Sequence, residues 1–365
     1  SKGQGVERSQ SKAIEYYTKS GNLGNSEAFY NLALIYNDDV KDYKKAFEFY
    51  KKASDLGNQK AMFALGECYY EGIGVEKDCS KTFELFKKLA DLGDPNAINA
   101  VGCLYEKGHG VEQNLQKAIK YYEKAADLND ANALFTIANR YDQGKGVDKN
   151  YQKAFQYYQK SAKTGNSDSL FKIGHYYYKG YSVEQNYFTA FDYFQQSAEL
   201  GNSNALLFLG DCYRKGEGTN QDYSKAIELF KKSAELGNSN AFYYLGDCYR
   251  NGEGTEQNYS KALEYYNKSA DLGFALADFT IGLMYEKGEG VEIDYNKALE
   301  YFQKSADKGN KSAYFIIGLL SYTICEGKEP DYPRAIENLE KAAEYGNEEA
   351  FYYLGECYHY KDENN

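Results

Sequence analysis

Histidine, proline and tryptophan are scarce or missing in this 365-residue chain, which has three His, three Pro and no Trp. His109, His175 and His359 fall in separate stretches, and none stands beside a Cys, Asp or Glu cluster. No H-E-x-x-H, C-x-x-C or nucleophile-elbow motif occurs, so neither a metal site nor a catalytic triad is expected. No apolar run approaches the roughly 20 residues that a membrane-spanning helix requires, so membrane insertion is not expected either. Cations are in deficit: 43 Lys+Arg stand against 54 Asp+Glu, a formal net charge of −11. Nucleic acid and anionic membranes reward clustered cations, so neither is expected as the main partner. No signal peptide is visible, and because Ser1 lies inside a motif a preceding segment is expected.

What the chain has in quantity is order. Ala61, Ala97, Ala133, Ser169, Ala205, Ala241, Ala277 and Ala313 recur every 36 residues, each opening a similar stretch. Ala28 opens a unit shortened to 33 residues, and Ala350 follows one lengthened to 37. Such a period marks a repeat array rather than a globular core. The units run 28–60, 61–96, 97–132, 133–168, 169–204, 205–240, 241–276, 277–312 and an irregular 313–349, between a partial unit 1–27 and a terminal helix 350–365.

Each unit carries its own start and stop signals. A-x-x-x-L-G-x-x-Y, as in Ala241, Leu245, Gly246 and Tyr249, places four residues on one face of a first helix. Glycine inside a helix costs about 1 kcal/mol against alanine, so its recurrence implies close approach of a second helix. A G-x-G pair such as Gly252/Gly254 ends the first helix in left-handed conformation, and the Val that usually follows tucks the loop inward. Asp78, Asn114, Asn150, Asn186, Asp222, Asn258 and Asp294 then stand where a second helix needs its N-cap. That helix reads K-A-x-x-Y/L-Y/F-x-K-S/A-A and closes on a Gly, after which an Asn or Asp caps the next unit. The fold class is therefore all-α, built from helix–turn–helix repeats. The G-x-G pairs lack the preceding strand and the G-K-S/T of a phosphate loop, so no cofactor is expected.

Of seven cysteines, Cys68, Cys212, Cys248 and Cys357 share one repeat position, and Cys103 lies one place earlier in its unit. Equivalent places in stacked helices lie about 10 Å apart, whereas a disulfide needs Cα atoms within about 7 Å. Small buried thiols in a reducing compartment are expected.

Together, L-G-x-x-Y, the G-x-G-V loop, K-A-x-x-Y and the closing Gly resemble the Sel1-like repeat family, relatives of the tetratricopeptide repeats, over essentially the whole chain. The resemblance implies a right-handed α–α superhelix (a solenoid) that binds other proteins as an adaptor. Members stapled by a disulfide near the end of the second helix are similar, but that place reads K-S-A-E-L-G here, without Cys. Departures are the unit at Ala313, which has Ser321 for the motif Tyr, no G-x-G, and Pro330 and Pro333 in its connection, and Ser182 in place of a second loop Gly.

By analogy with tetratricopeptide units, the inner wall is lined from the first helix, with exposed places two, six and nine residues after the opening Ala. These are Phe171, His175 and Tyr178 in one unit, Asp211 and Arg214 in the next, Tyr243, Asp247 and Arg250 in the third, and Phe279 beyond it. Asp211/Arg214 and Asp247/Arg250 stand at the i,i+3 spacing of surface ion pairs. Aromatics and arginines suit a protein partner or peptide segment, and charge reversal at the four charged places is expected to weaken binding without unfolding. The alternative is that these aromatics pack between units and the ion pairs are solvated. The expected function is a non-catalytic, cytoplasmic interaction scaffold. Two alternatives stand beside it: the regulatory array of a larger enzyme such as a kinase, and an ER-luminal degradation adaptor whose Asn258, Asn267 and Asn310 sequons would be occupied.

Overall fold

The computed structural model describes residues 9–323 and 330–363. Among them are twenty α-helices and one π-helical segment, and no strand. Each regular unit gives an A helix and a B helix of about the same length; Ser239–Asn251 and Tyr259–Asp271 are one such pair. Contacts divide the chain into two compact units, one reaching Tyr176 and including Tyr181–Glu184, the other made of Tyr177–Gly180 and everything from Gln185. Within each, an A helix packs on the B helix of its own repeat, and that B helix packs on the next A helix.

The B helices begin where the caps were expected. In Asp78, Asn114, Asn150, Asn186, Asp222, Asn258 and Asp294 the side chain accepts from a backbone N–H in the first turn. The same cap residues close the loop, because their own N–H donates to the carbonyl of the motif tyrosine; Asn258 reaches Tyr249 at 2.7 Å. Asn58, Asp94, Asn202 and Asn238 cap A helices in the same way, whereas Phe274 stands at that place without a side-chain cap.

In five A helices the internal glycine (Gly66, Gly102, Gly210, Gly246 and Gly282) sits under a ring of the paired B helix. A Cβ on Gly246 would lie 2.5 Å from Tyr266, and one on Gly210 2.7 Å from Phe230. Gly355, in the terminal helix, has nothing within 4 Å, since no B helix follows it among the described residues. Packing therefore accounts for the propensity lost at the others. The second glycine of the G-x-G loop is constrained differently: Gly218 has φ +73°, and a Cβ there would strike the Tyr187 carbonyl of the preceding B helix. Ser182 holds the corresponding left-handed conformation at φ 58° with a side chain. Asn129, φ 59°, does the same where its unit lacks the closing glycine.

The unit of 33 residues substitutes a different turn. Its A helix, Ser26–Leu34, continues into the π-helical Ile35–Val40, and the Asp42 N–H still reaches Tyr36 at 2.9 Å, so the missing loop leaves the closing bond in place. In the irregular unit, residues 324–329 of the connection lie outside the described residues. Its N-cap Asp331 nevertheless donates to the carbonyl of Ser321, which stands where the tyrosine would be. A Cβ on Gly318 would meet Leu339, so this helix pair keeps the regular packing.

Candidate partner-binding face

The places two residues after the opening Ala hold rings that lie on the B helix of the same repeat. Tyr243 is 5.4 Å from Tyr266 and 5.3 Å from Phe274, the N-cap residue of the following A helix, and Phe279 is 5.2 Å from Phe302. Phe171 lies 6.2 Å from His175, whose ring is 5.9 Å from Tyr181. None of the nine candidate positions is exposed; seven are half-buried, while Tyr178 and Asp211 are each only 8% exposed. The expectation that these places are open is corrected, and the rings are packed as the alternative expectation had them: Tyr243 and Phe279 each lie against a neighbouring helix, and Tyr178 is covered by Phe208 and Glu217 of the next repeat.

The charged places are occupied by internal bonds. The carboxylate of Asp211 accepts from Arg214 Nε at 3.0 Å and Nη2 at 2.7 Å, and pairs with Lys215 at 2.7 Å, so the expected i,i+3 pair is present but buried. Burial works against the Lys215 ammonium, yet the Asp211 hydrogen bond and charge hold its pKa above the ordinary lysine value. Asp247 and Arg250 take other partners. Asp247 accepts from the Tyr266 hydroxyl at 2.7 Å, while Arg250 donates through Nε and Nη2, each 2.7 Å from Glu289 Oε2. Burial raises the Asp247 pKa, against the pull of Tyr266, Arg214 and Arg250.

These bonds belong to a pattern that the sequence reading missed. The residue nine places after the opening Ala reaches the middle residue of the next repeat's G-x-G loop, 39 residues on. Tyr70 meets His109 Nδ1 at 3.1 Å, Glu106 meets Lys145 at 2.8 Å and Tyr178 donates to Glu217 at 2.6 Å. Arg214 approaches Glu253 at 3.6 Å and Arg250 binds Glu289. Acid faces base and hydroxyl faces imidazole or carboxylate, so the pairs match in chemistry although their identities change along the chain. A comparison of loop residues with positions 39 earlier would have found the signal. Asp142 is the exception: it accepts from Tyr176 at 2.7 Å, and Lys172 lies 3.3 Å away. Its loop counterpart Tyr181 stacks on Tyr151 at 4.8 Å instead.

The cysteines are free among the described residues, with Cys68, Cys212, Cys248 and Cys357 buried and Cys79 and Cys103 half-buried. Burial pushes Cys68 up to about 11 and Cys212 and Cys248 up to about 12. Among the described residues no group of three His, Cys, Asp or Glu is arranged to hold a metal ion, and no helix is long and apolar enough to cross a membrane. Each sequon amide makes a structural bond: Asn258 caps a helix, Asn267 donates to the Leu263 carbonyl, and Asn310 donates to Ser305.

An all-α array of paired helices, most with a glycine at the contact between the pair and a loop strut to the next repeat, defines a helical-repeat protein of the solenoid class. The Sel1 repeat model matches residues 1–25, 26–58, 59–94, 95–130, 131–166, 167–202, 203–238, 239–274, 275–310 and 312–347, and the chain belongs to the Sel1 repeat family. The units from 26 to 275 start two residues before the opening residue, and the last starts one before Ala313, each at the first turn of an A helix. Among solved structures it is similar to c5321, a protective antigen of uropathogenic Escherichia coli displaying an SLR fold, at 31% identity and TM-score 0.74. That match covers 94% of this chain and 74% of the other. A Sel1 repeat protein from Oxalobacter formigenes is 33% identical with TM-score 0.61, over 68% of this chain and 99% of that one. Yeast Tom70, at 14% identity and TM-score 0.50 over 96% and 93% of the two chains, shares the fold alone. No curated protein sequence matches significantly.

Proposed function

We propose that this chain is a non-catalytic scaffold that binds a protein partner across the faces of its A helices. One observation carries the reading. Successive A helices present half-buried aromatic and charged side chains, among them Tyr243, Asp247, Arg250 and Phe279, each held by a packed neighbouring helix or loop. Side chains already held in one geometry lose little conformational entropy on binding, and aromatics and arginine are the residues that most often anchor interfaces. The partner is a folded protein or a peptide segment; the acidic balance of the chain speaks against nucleic acid.

The test is site-specific photo-crosslinking in cells of origin, with benzoylphenylalanine replacing Tyr243 or Phe279 and, as a control, the exposed B-helix residue Glu264. Discrete protein adducts are expected from the two A-helix positions. Adducts from Glu264 alone would assign binding to the opposite helices and sink the proposal.

A further inference from the structure

A surface-open hollow of about 280 Å³ lies within the first compact unit, lined by Tyr70, Phe86, Asn99, Ala100, Cys103 and Lys107 among others. Repeat position explains why it is there. Three residues after the opening Ala, the second compact unit has Phe208 and Tyr244. Phe208 lies 5.4 Å from Phe194 of the preceding B helix and 6.0 Å from Tyr178. Tyr244 stacks at 5.3 Å on Phe230, with the Arg214 guanidinium 5.5 Å from its ring centre. Ala100 holds that position in the repeat opened by Ala97; Phe86 and Tyr70 correspond there to Phe194 and Tyr178. The wall survives, and the ring that fills it at Phe208 and Tyr244 is missing. Ala64, Thr136 and Thr280 are also small at this position, but Ala64 packs on the core cluster that includes Tyr50, Arg140 reaches Glu106 at 2.8 Å beside Thr136, and the Tyr243 hydroxyl lies 3.4 Å from Thr280.

A second, independent observation concerns polarity. Asn99 lines the hollow, and its Oδ1 is buried without a hydrogen-bond partner. A buried acceptor left unpaired costs about 1–3 kcal/mol, and a bound donor would recover it. The volume is slightly below the roughly 300 Å³ at which pockets for drug-sized ligands begin, and suits one side chain.

We infer that this hollow is a recognition subsite for one aromatic side chain carrying an N–H or O–H donor, a tryptophan or tyrosine of a protein partner. The inference rests on the scaffold reading and adds the chemistry of what is bound. The ring stacks on Phe86 and Tyr70 in the place that Phe208 and Tyr244 occupy in their own repeats, and its donor reaches Asn99 Oδ1. The substitution Ala100→Phe supplies the array's own ring, so it closes the subsite with a residue the fold already accepts.

Indole and its isostere benzofuran, which lacks the N–H, are titrated into the full ¹⁵N-labelled chain and followed by two-dimensional NMR. Indole is expected to shift the Asn99 side-chain amide and the Ala100 and Cys103 backbone signals, and to bind at least threefold more tightly than benzofuran. Ala100→Phe is expected to weaken indole at least tenfold while circular dichroism and Tm show an intact array. Asn99→Leu should retain binding of both probes and abolish the preference for indole. No shift at these residues with 10 mM indole, or equal affinity in the Ala100→Phe chain, overturns the subsite. Either result leaves the scaffold reading standing, because the cross-linking at Tyr243 and Phe279 tests that separately. Benzofuran binding as tightly as indole to the unsubstituted chain would overturn the role of Asn99 and with it the donor requirement.

Discussion

Arg250 and Glu289 lie 39 residues apart in sequence, and two guanidinium nitrogens of the first meet one carboxylate oxygen of the second at 2.7 Å. The arginine is on an A helix and the glutamate between the two glycines of the next loop, so the pair bridges one repeat to the next. Both side chains are about three-quarters covered, each 24% exposed, which shields the pair from water more than a surface ion pair.

Exchange of this pair is the direct test of the strut. Arg250→Ala and Glu289→Ala are each expected to cost about 1 kcal/mol, with a coupling of about 0.5–1 kcal/mol in a double-mutant cycle. The charge-swapped Arg250→Glu/Glu289→Arg chain should recover part of the loss. Thermal unfolding measures all four; strictly additive losses would mean that the pair contributes nothing to register.

Asp211 bears on what charge reversal reads out. Its carboxylate holds both Arg214 and Lys215 and is only 8% exposed. Asp211→Arg would cluster three cations where a buried pair stood, at a cost on the order of 3 kcal/mol. The expectation that reversing these charges leaves the array folded is thus replaced: loss of Tm should precede any loss of binding. Glu228→Arg, at an exposed B-helix position, should change stability by no more than about 0.5 kcal/mol. Similar Tm values for the two variants would contradict the buried assignment.

Two glycines of the same motif should answer oppositely to alanine. In Gly246→Ala the new Cβ would meet the Tyr266 ring at 2.5 Å, and the strain is expected to cost about 1–3 kcal/mol. Gly355→Ala meets nothing within 4 Å and gains helix propensity, about 0.5–1 kcal/mol. Denaturant unfolding distinguishes them; stabilisation in both would remove the packing explanation for the repeated glycine.

Acid should loosen the strut at Glu106. Burial raises its pKa, but hydrogen bonds from Lys145 and Tyr122 and the charge of Arg140 outweigh this and leave it lowered. A carboxylate with a depressed folded pKa contributes stability above its unfolded value, about 4.3, and loses it as pH falls through the folded value. Glu106→Gln should therefore flatten the fall of Tm below pH 5. An unchanged acid limb would assign that fall to other carboxylates.

Thiol reactivity follows burial. With Cys212 and Cys248 pushed up to about 12 by burial, neither presents accessible thiolate at pH 8. Brief treatment with a thiol reagent and peptide mapping should find Cys79 and Cys103 labelled before Cys68, Cys212 and Cys248. Early modification of Cys212 would mean that its repeat opens more readily than its packing implies.

Much of this molecule was determined by the sequence alone, and the reason is locality. Period, caps, loop glycines and the A-helix glycine are set by residues within one unit, so Asn258 could be placed as a cap and Gly246 at a helix contact from spacing alone. Exposure is not local. Tyr178 and Asp211 lie on the face that repeat analogy marks as open, but the side chains that cover and bind them come partly from the next repeat, as Glu217 does for Tyr178. The partners of Asp247 and Arg250 were likewise decided by packing, because a B-helix hydroxyl and a loop carboxylate stand nearer than the residue three places along the helix. The hollow beside Ala100 needed the tertiary structure for the same reason: an alanine in a helix repeat is unremarkable until the rings around it show what they enclose.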